Sequence, residues 1–158
     1  MSAVAVLVMT DGRDDCLDRT IRSARANLRG NITEWWIRDD SGDQAHRDRL
    51  FDRYGVGAMA RVMPPGPRRG FGGSIRYAWQ MLSVGSEADY VLHLEDDFLF
   101  HRPVDLGAMS AVLDANPHLA QLALRRQPWN AAEAAAGGIV EQHPDDYLEV
   151  RDLAEVRR

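Results

Sequence analysis

The sequence predicts an α/β fold with a mostly parallel central sheet, on the basis of three observations. Short apolar runs of strand length alternate with helical patterns, and polar residues follow most of these runs directly. The first run, residues 3–9, is apolar without interruption, which is typical of a strand covered on both faces. Strands that alternate with helices imply right-handed crossovers between parallel strands.

The elements follow from apolar periodicity and from residues that start or stop regular structure. The first half of the chain is predicted to contain a strand at 3–9, a helix capped by Asp14 or Asp15 that runs to Leu28, a strand at 32–38 and a helix at 44–54. The second half is predicted to contain a strand at 58–63, a helix at 72–82, a strand at 90–94, a helix at 105–115 and a strand at 117–124. Trp35, Trp36 and Trp79 occupy positions that are expected to pack in the core.

Composition restricts the class of protein. A chain of 158 residues with 45% hydrophobic and 27% charged residues is typical of one globular domain. The net charge of -5, without a dense basic stretch, argues against non-specific nucleic-acid binding. The single cysteine, Cys16, excludes an internal disulfide and a multi-cysteine zinc site. Because residues 3–9 are too short to span a membrane and lack a preceding basic region, we expect a cytoplasmic protein without a membrane span.

All 19 basic side chains are arginines. We interpret this as the bias of a G+C-rich coding sequence, such as that of a bacterium or its phage. It also excludes mechanisms that require a lysine. Paired aspartates on a parallel sheet would suggest a phosphoacceptor receiver domain. Such a domain needs a lysine after its last strand, and this chain contains none.

Polar clusters follow four of the predicted strands. They are Thr10-Asp11 after the first, Asp39-Asp40 after the second, Arg68-Arg69 after the third and Glu95-Asp96-Asp97 after the fourth. In open parallel sheets, ligands bind beyond the carboxyl ends of the strands. The sequence therefore predicts that these clusters converge on one ligand site.

The acidic triplet Glu95-Asp96-Asp97 is flanked by the apolar residues Leu94 and Phe98. Like charges beside apolar side chains cost free energy unless a cation offsets them. Carboxylate oxygens suit Mn²⁺ or Mg²⁺, which would stabilise the charge that develops on a leaving diphosphate. A solvated acidic turn remains the alternative. His93, inside the predicted strand, is interpreted as a satisfied core histidine.

The other clusters each have two interpretations. Taken alone, Asp39-Asp40 and Asp11 are typical of Asx turns, but their positions favour carboxylates that accept hydrogen bonds from a base or a ribose. Residues 68–74 combine two arginines, flexible backbone and a helix start, which favour an anion. A loop with solvated arginines is the alternative. The segment matches neither a Walker A loop nor a dinucleotide fingerprint.

Together these motifs resemble the GT-A glycosyltransferases, and among them the family 2-like group, over roughly residues 4–126. The motifs that carry the resemblance are, in order, Thr10-Asp11, Asp39-Asp40-Ser41-Gly42, Arg68-Arg69-Gly70-Phe71-Gly72-Gly73-Ser74 and Leu94-Glu95-Asp96-Asp97. The resemblance implies a GT-A (Rossmann-like) three-layer α/β/α sandwich. It also implies a metal-dependent transferase that moves a sugar from a nucleoside-diphosphate sugar, in the first place a UDP-sugar, to an acceptor hydroxyl.

The resemblance also implies residue roles. The acidic triplet corresponds to the family's Asp-x-Asp motif, so Asp97 would contact Mn²⁺ or Mg²⁺, and Glu95 or Asp96 would contact the ribose or a metal-bound water. Arg69 would lie beside the diphosphate. The full nucleotide-binding set expected on this basis is Thr10, Asp11, Arg13, Asp39, Asp40, Arg69, Gly70, Glu95 and Asp96.

The C-terminal part departs from the family pattern. Only about sixty residues follow Asp97, where the family carries its acceptor-binding half and a general base. Among the carboxylates there, which include Glu133, the candidates for a base are Glu141, Asp145 and Asp146, and Trp129 is a weak candidate to line a sugar site. We expect residues 1–126 to form the nucleotide- and metal-binding core. Residues 127–158 would form a remnant of the acceptor region or an interaction segment.

The departure leaves several interpretations open. A second chain or a second copy of this chain could complete the acceptor site. A non-catalytic sugar-nucleotide-binding subunit is one alternative function. A nucleotidyltransferase is another, although Gly12-Arg13 is a meagre match to the basic glycine-rich loop of that class.

Overall fold

The computed structural model describes residues 2–55 and 60–124. Their elements are β1 (Val4–Thr10), α1 (Asp14–Asn27), β2 (Leu28–Arg29), β3 (Ile32–Asp39), α2 (Gln44–Leu50), a π-helical turn (Phe51–Gly55), β4 (Arg61–Val62), α3 (Gly70–Gly85), β5 (Tyr90–Glu95), β6 (Val104–Asp105) and α4 (Leu106–Ala115). The chain divides into two compact units, Met1–Ser110 and Ala111–Arg158, and both sheets belong to the first. The predicted boundary after residue 126 lies outside the described residues.

The main sheet has the strand order β4-β3-β1-β5, and every neighbouring pair is parallel. The predicted α/β class with a mostly parallel sheet is therefore confirmed. From β1 the chain adds β3 and then β4 on one side, and it crosses to the other side of β1 to add β5. This reversal places a topological switch point between β1 and β5, where open α/β sheets form their ligand crevices.

The central strand β1 is buried over its whole length because helices pack on both of its faces. Val4, Val6 and Val8 belong to one apolar cluster, which α1 completes with residues such as Leu17. The alternate residues Ala5, Leu7 and Met9 belong to a second cluster, which α3 completes with Ala78 and Leu82. This arrangement explains why the first apolar run has no polar interruption. None of the helices in the described part of the chain has the length and apolar character that crossing a membrane requires.

Most predicted elements exist, and their ends differ from the prediction by a few residues. The helix predicted at 44–54 is divided, because α2 ends at Leu50 and the π-helical turn follows. Neither Asp14 nor Asp15 caps α1, since Arg13 is the residue that precedes the helix and no side chain caps it. The carboxylate of Asp14 instead accepts a hydrogen bond from His46 Nε2 at 3.0 Å, if that nitrogen carries the proton.

The strand predicted at 117–124 is wrong, because the described residues 116–124 contain no strand. After α4 the chain turns, and the amide of Leu119 donates to the carbonyl of Asn116 at 2.9 Å. Leu119 and Leu122 are an odd number of residues apart, so they could not share one face of a strand. The short parallel pair β2–β6 was not predicted, because two-residue strands leave no pattern in a sequence.

Two large apolar side chains of predicted helices are exposed, and one of them was expected in the core. Trp79 is 47% exposed although Trp36 is buried and Trp35 is partly buried. On α3 the buried stripe runs through Ala78 and Leu82, and Trp79 lies about 100° around the helix from Ala78. Phe51, in the helix predicted at 44–54, is 57% exposed for the same reason, since the neighbouring Leu50 takes the inward position.

Candidate active site

An open cleft lies at the carboxyl ends of β1, β3 and β5, beside the switch point. Residues from all four polar clusters contribute to it. The lining consists of Met9, Thr10, Asp11, Arg13, Asp40, Arg68, Gly70, Phe71, Ser74, Glu95 and Asp96. The parallel register explains this convergence, because Met9 pairs with Glu95 across the β1–β5 ladder and Thr10 pairs with Asp39 across the β1–β3 ladder.

Asp96 is the most buried residue of the acidic triplet and has the most hydrogen-bond partners. Its side chain is 1% exposed, and both carboxylate oxygens have partners. The hydroxyl of Thr10 donates to Oδ2 at 2.7 Å, and the guanidinium of Arg13 pairs with Oδ1. The hydroxyl of Thr20 donates to the main-chain carbonyl of Asp96 at 2.6 Å. Asp96 therefore ties the loop after β5 to the loop after β1 and to α1.

Asp97 and Glu95 are the more accessible members of the triplet. The Asp97 side chain is 47% exposed, and its Oδ2 lies 3.3 Å from Nη1 of Arg13. Glu95 lines the cleft, and its carboxylate has no hydrogen bond or ion pair within the described residues. The pKa of Arg13 is raised, because the carboxylates of Asp96 and Asp97 outweigh the burial that acts to lower it.

Two carboxylates of the triplet could contribute to a divalent cation, provided that a ligand supplied the rest of its coordination. The described residues contain no group of three or more His, Cys, Asp or Glu side chains that could hold a metal by themselves. Mg²⁺ bound with phosphates, however, uses only one or two protein carboxylates and fills the other positions with phosphate oxygens and water. Asp97, with its exposed carboxylate, and Glu95, in the cleft, supply that number.

The structure separates the two aspartates at the end of β3. Asp40 lines the cleft, where its Oδ1 accepts hydrogen bonds from Nη2 of Arg38 and from the amide of Arg69, both at 3.0 Å. Asp39 does not line it, because its carboxylate is turned toward Ser41 and His46. The sequence placed both aspartates in the site without distinguishing them.

Asp39 instead organises the start of α2. Its carboxylate accepts hydrogen bonds from the amide of Ser41 at 3.0 Å and from its hydroxyl at 2.7 Å. His46 Nδ1 and Arg47 Nε lie 3.2 and 3.3 Å from its oxygens, within ion-pair distance but without hydrogen-bond geometry. This is the Asx-turn interpretation that the sequence left open.

The two arginines before α3 also separate. Arg68 lines the cleft, and its guanidinium pairs with Asp11 Oδ2 at 2.5 Å. Arg69, the residue expected beside a diphosphate, places its guanidinium 4.7 Å from the centre of the Tyr77 ring. The amide of Arg69 donates a hydrogen bond to Asp40. Arg69 therefore contributes to the site through its backbone, whereas Arg68 contributes its side chain.

Arg38 supports the site, and sequence reasoning missed it. It is 1% exposed, its Nε donates to the hydroxyl of Ser74 at 2.8 Å, and its guanidinium lies 4.8 Å from the Tyr77 ring centre. Burial lowers the pKa of Arg38, and the charge of Asp40 opposes that shift. The available signal was a charged residue directly after the apolar Trp36 and Ile37 in a predicted strand, because a charge that is buried there requires a partner.

The start of α3 adds backbone and aromatic groups to the cleft. Gly70 has φ of 68°, in the left-handed region that favours glycine, and it turns the chain from the Arg68-Arg69 loop into the helix. Phe71 lines the cleft with 61% of its surface exposed, and Ser74 is fully buried beside Arg38. Phe71, Ser74 and Met9 were not among the predicted site residues.

The remaining predictions have different outcomes. His93 lies inside β5, but its buried Nε2 has no hydrogen-bond partner within the described residues, so it is not the satisfied core histidine that was expected. Burial lowers the pKa of His93, and Glu95 opposes this effect. The candidate bases Glu141, Asp145 and Asp146, together with Glu133 and Trp129, lie outside the described residues.

Comparison with known proteins adds no family to this description. The chain matched none of the protein-family models, and a comparison with curated proteins also gave no match.

Proposed function

We propose that this chain is a GT-A-type glycosyltransferase with a three-layer α/β/α core. It binds a nucleoside-diphosphate sugar, in the first place a UDP-sugar, together with Mn²⁺ or Mg²⁺, and transfers the sugar to an acceptor hydroxyl. One observation carries the proposal. A single cleft at the switch point of a parallel sheet combines the fixed carboxylate of Asp40, an exposed arginine and Glu95. Asp97 does not line this cleft, but its exposed carboxylate contacts Arg13, which does.

The nucleoside end of the ligand fits Asp40. Its carboxylate is fixed by Arg38 and by the amide of Arg69, so it keeps its position before a ligand arrives. A fixed carboxylate can accept hydrogen bonds from a base N–H or from ribose hydroxyls, and pre-organisation lowers the entropic cost of binding. Phe71, which is largely exposed, offers an aromatic face at the same opening.

The diphosphate fits the basic side of the cleft. The guanidinium of Arg68 can bind phosphate oxygens through two parallel hydrogen bonds. Its present partner, Asp11, is 46% exposed, so an exposed ion pair that contributes little stability can open when a phosphate replaces the carboxylate. The amides in the first turn of α3 add a favourable field for an anion.

The metal would be held by Asp97 with support from Glu95. Bound there, it would stabilise the negative charge of the departing diphosphate. Asp96 serves a different purpose in this proposal, because Thr10 and Arg13 already occupy both of its oxygens. It fixes the position of the loop that presents Asp97.

Calorimetric titration with UDP, with and without Mn²⁺, tests the donor site. We expect binding that requires Mn²⁺ and that is lost in Asp97→Asn. The matched control is Asp52→Asn, which changes an exposed aspartate that does not line the cleft and should bind UDP as the unmodified chain does. Failure of the unmodified chain to bind UDP or GDP under any of these conditions would contradict the proposal.

A second measurement separates transfer from binding alone. Release of free sugar from UDP-sugars in the presence of Mn²⁺ should be detectable and should depend on Asp97, because water can replace the acceptor. Tight UDP binding without any sugar release would instead favour the non-catalytic sugar-nucleotide-binding subunit. A preference for nucleoside triphosphates with release of pyrophosphate would favour the nucleotidyltransferase.

A further inference from the structure

We propose that Arg13 is a built-in counter-cation of the acidic triplet and that it must release Asp97 before a divalent cation can bind there. As a consequence, the cleft takes up the metal together with a diphosphate and binds the free metal weakly. This inference rests on the proposed function, because it concerns how the metal enters the same site.

The two contacts of Arg13 differ in environment. Nη2 pairs with Oδ1 of Asp96, whose side chain is 1% exposed, whereas Nη1 lies 3.3 Å from Oδ2 of Asp97, whose side chain is 47% exposed. A charge pair with one buried member is costly to break, because it leaves a buried charge without a partner. A long pair between exposed groups contributes little. The contact with Asp97 is therefore the one that opens.

Asp96 cannot take over the role of metal ligand. Its second oxygen, Oδ2, already accepts the hydroxyl hydrogen of Thr10 at 2.7 Å in a buried position. A cation that binds the carboxylate of Asp97 therefore meets the guanidinium of Arg13 as well. A divalent ion and a guanidinium a few ångströms apart repel each other, and both compete for the same carboxylate.

A diphosphate removes this competition. Its oxygens supply negative charge for both cations, since arginine binds phosphate through bidentate hydrogen bonds and Mg²⁺ or Mn²⁺ takes phosphate oxygens as ligands. Arg13 lines the same cleft as Arg68. Its guanidinium can therefore replace the contact with Asp97 by a contact with phosphate and retain its ion pair with Asp96. Metal and diphosphate then favour each other's binding through a shared arginine, which is a reciprocal coupling.

The test is a calorimetric titration of Mn²⁺ into the nucleotide-free protein, for the unmodified chain and for Arg13→Gln. The glutamine amide can still donate a hydrogen bond to buried Asp96, but it carries no charge. We expect Arg13→Gln to bind free Mn²⁺ at least about 5-fold more tightly, the lower end of typical coupling between sites. Arg22→Gln, an exposed arginine on α1 that does not line the cleft, is the matched control and should leave the affinity unchanged.

The same Mn²⁺ titrations are then repeated in the presence of saturating UDP, so that the effect of UDP on Mn²⁺ affinity can be compared between the unmodified chain and Arg13→Gln. UDP should increase the Mn²⁺ affinity of the unmodified chain by a larger factor than that of Arg13→Gln. If Arg13→Gln does not fold, as judged by circular dichroism, Arg13→Lys takes its place. A lysine ammonium is a compact point charge that cannot span both carboxylates, so this variant should also bind free Mn²⁺ more tightly.

Different outcomes would contradict the role of Arg13 and the proposed metal site. Mn²⁺ binding that depends on Asp97 but has equal affinity with and without the arginine would overturn the role of Arg13 and leave the proposed metal site intact. Absence of Mn²⁺ binding from every variant, with and without UDP, would overturn both.

Discussion

At the scale of single residues, the buried carboxylate of Asp96 joins two loops at the cleft, the one after β1 and the one after β5. A charged group with 1% exposure is unfavourable unless it is paired and hydrogen-bonded. Thr10 and Arg13 provide those partners from one short segment at the end of β1. The same three residues therefore stabilise the fold and hold the two loops that border the proposed metal site.

Thr10→Val tests the structural part of this role. Valine keeps the shape of threonine but removes the donor to Asp96 Oδ2, so we expect the free energy of unfolding to fall by about 1–3 kcal/mol. Urea unfolding followed by tryptophan fluorescence measures it. The control is Thr33→Val, an exposed position in β3, which should change stability by no more than about 0.5 kcal/mol. Equal losses in the two variants would show that the hydroxyl of Thr10 has no special importance.

Adjacent arginines offer a matched comparison for ligand binding. Because the side chain of Arg68 lines the cleft while that of Arg69 stacks on Tyr77, we expect Arg68→Gln to weaken UDP binding about tenfold or more. Arg69→Gln removes the same charge one residue away and should weaken binding by less than about threefold, a fraction of one charged hydrogen bond. Calorimetry gives both affinities. The reverse order would support the original prediction that Arg69 contacts the diphosphate.

At the scale of elements, a polar contact fastens the π-helical turn to α1. Tyr54 is buried in the core cluster of β1 and α1, and its hydroxyl donates to the carboxylate of Asp18. Arg53, from the same turn, pairs with the other oxygen of Asp18 at 2.8 Å. Burial and the adjacent Asp18 carboxylate raise the pKa of Tyr54 to about 12, and Arg53 opposes the shift.

This raised pKa predicts how stability depends on pH. The folded state holds the phenolic proton more tightly than the unfolded chain, whose tyrosine has the ordinary value of 10.0. The stabilisation is therefore complete below pH 10 and is lost as the pH rises from 10 to about 12. Each pH unit in that window lowers the free energy of unfolding by up to about 1.4 kcal/mol.

Denaturant unfolding at a series of pH values tests this dependence. Tyr54→Phe keeps the ring and removes the titrating hydroxyl, so its stability should fall less steeply between pH 10 and 12. The other tyrosines are common to both proteins and cancel in the comparison. Identical slopes for the two proteins would mean that Tyr54 titrates alike in the folded and unfolded states.

At the scale of the whole molecule, β1 joins two apolar clusters and also delivers the first residues of the site. Its alternate side chains enter the two clusters, and its last residue, Thr10, reaches Asp96. On either side of it, Asp40 directly follows β3 and Glu95 is the last residue of β5, and both carboxylates line the cleft. Packing of the sheet and geometry of the site therefore depend on the same strand.

Leu7→Ala tests this dependence. Leu7 is fully buried against α3, so its truncation should lower the free energy of unfolding by about 2–5 kcal/mol. Urea unfolding measures the loss, with Val84→Ala as the control. Val84 is 83% exposed on the same helix that covers Leu7, and its truncation should change stability by no more than about 0.5 kcal/mol. A loss below about 1 kcal/mol in Leu7→Ala would contradict the two-sided burial of β1.

The sequence by itself determined the order of most elements and the identity of the polar clusters. Both are local properties: a seven-residue apolar run predicts a doubly covered strand, and polar residues directly after a strand stand at its carboxyl end. Parallel pairing then brings those ends together without further information. For this reason Thr10, Asp40 and Glu95 could be placed near one another from the sequence alone.

Only the tertiary structure decided which member of each cluster faces the cleft. Asp39 and Asp40 are chemically identical neighbours, as are Arg68 and Arg69, and their roles depend on contacts between separate elements, such as those of Asp40 with the amide of Arg69 and of Arg68 with Asp11. Trp79 and the segment 117–124 were misplaced for a related reason. A side chain is buried, or a strand is paired, only if another part of the fold lies against it. The local sequence pattern does not show whether such a neighbour is present.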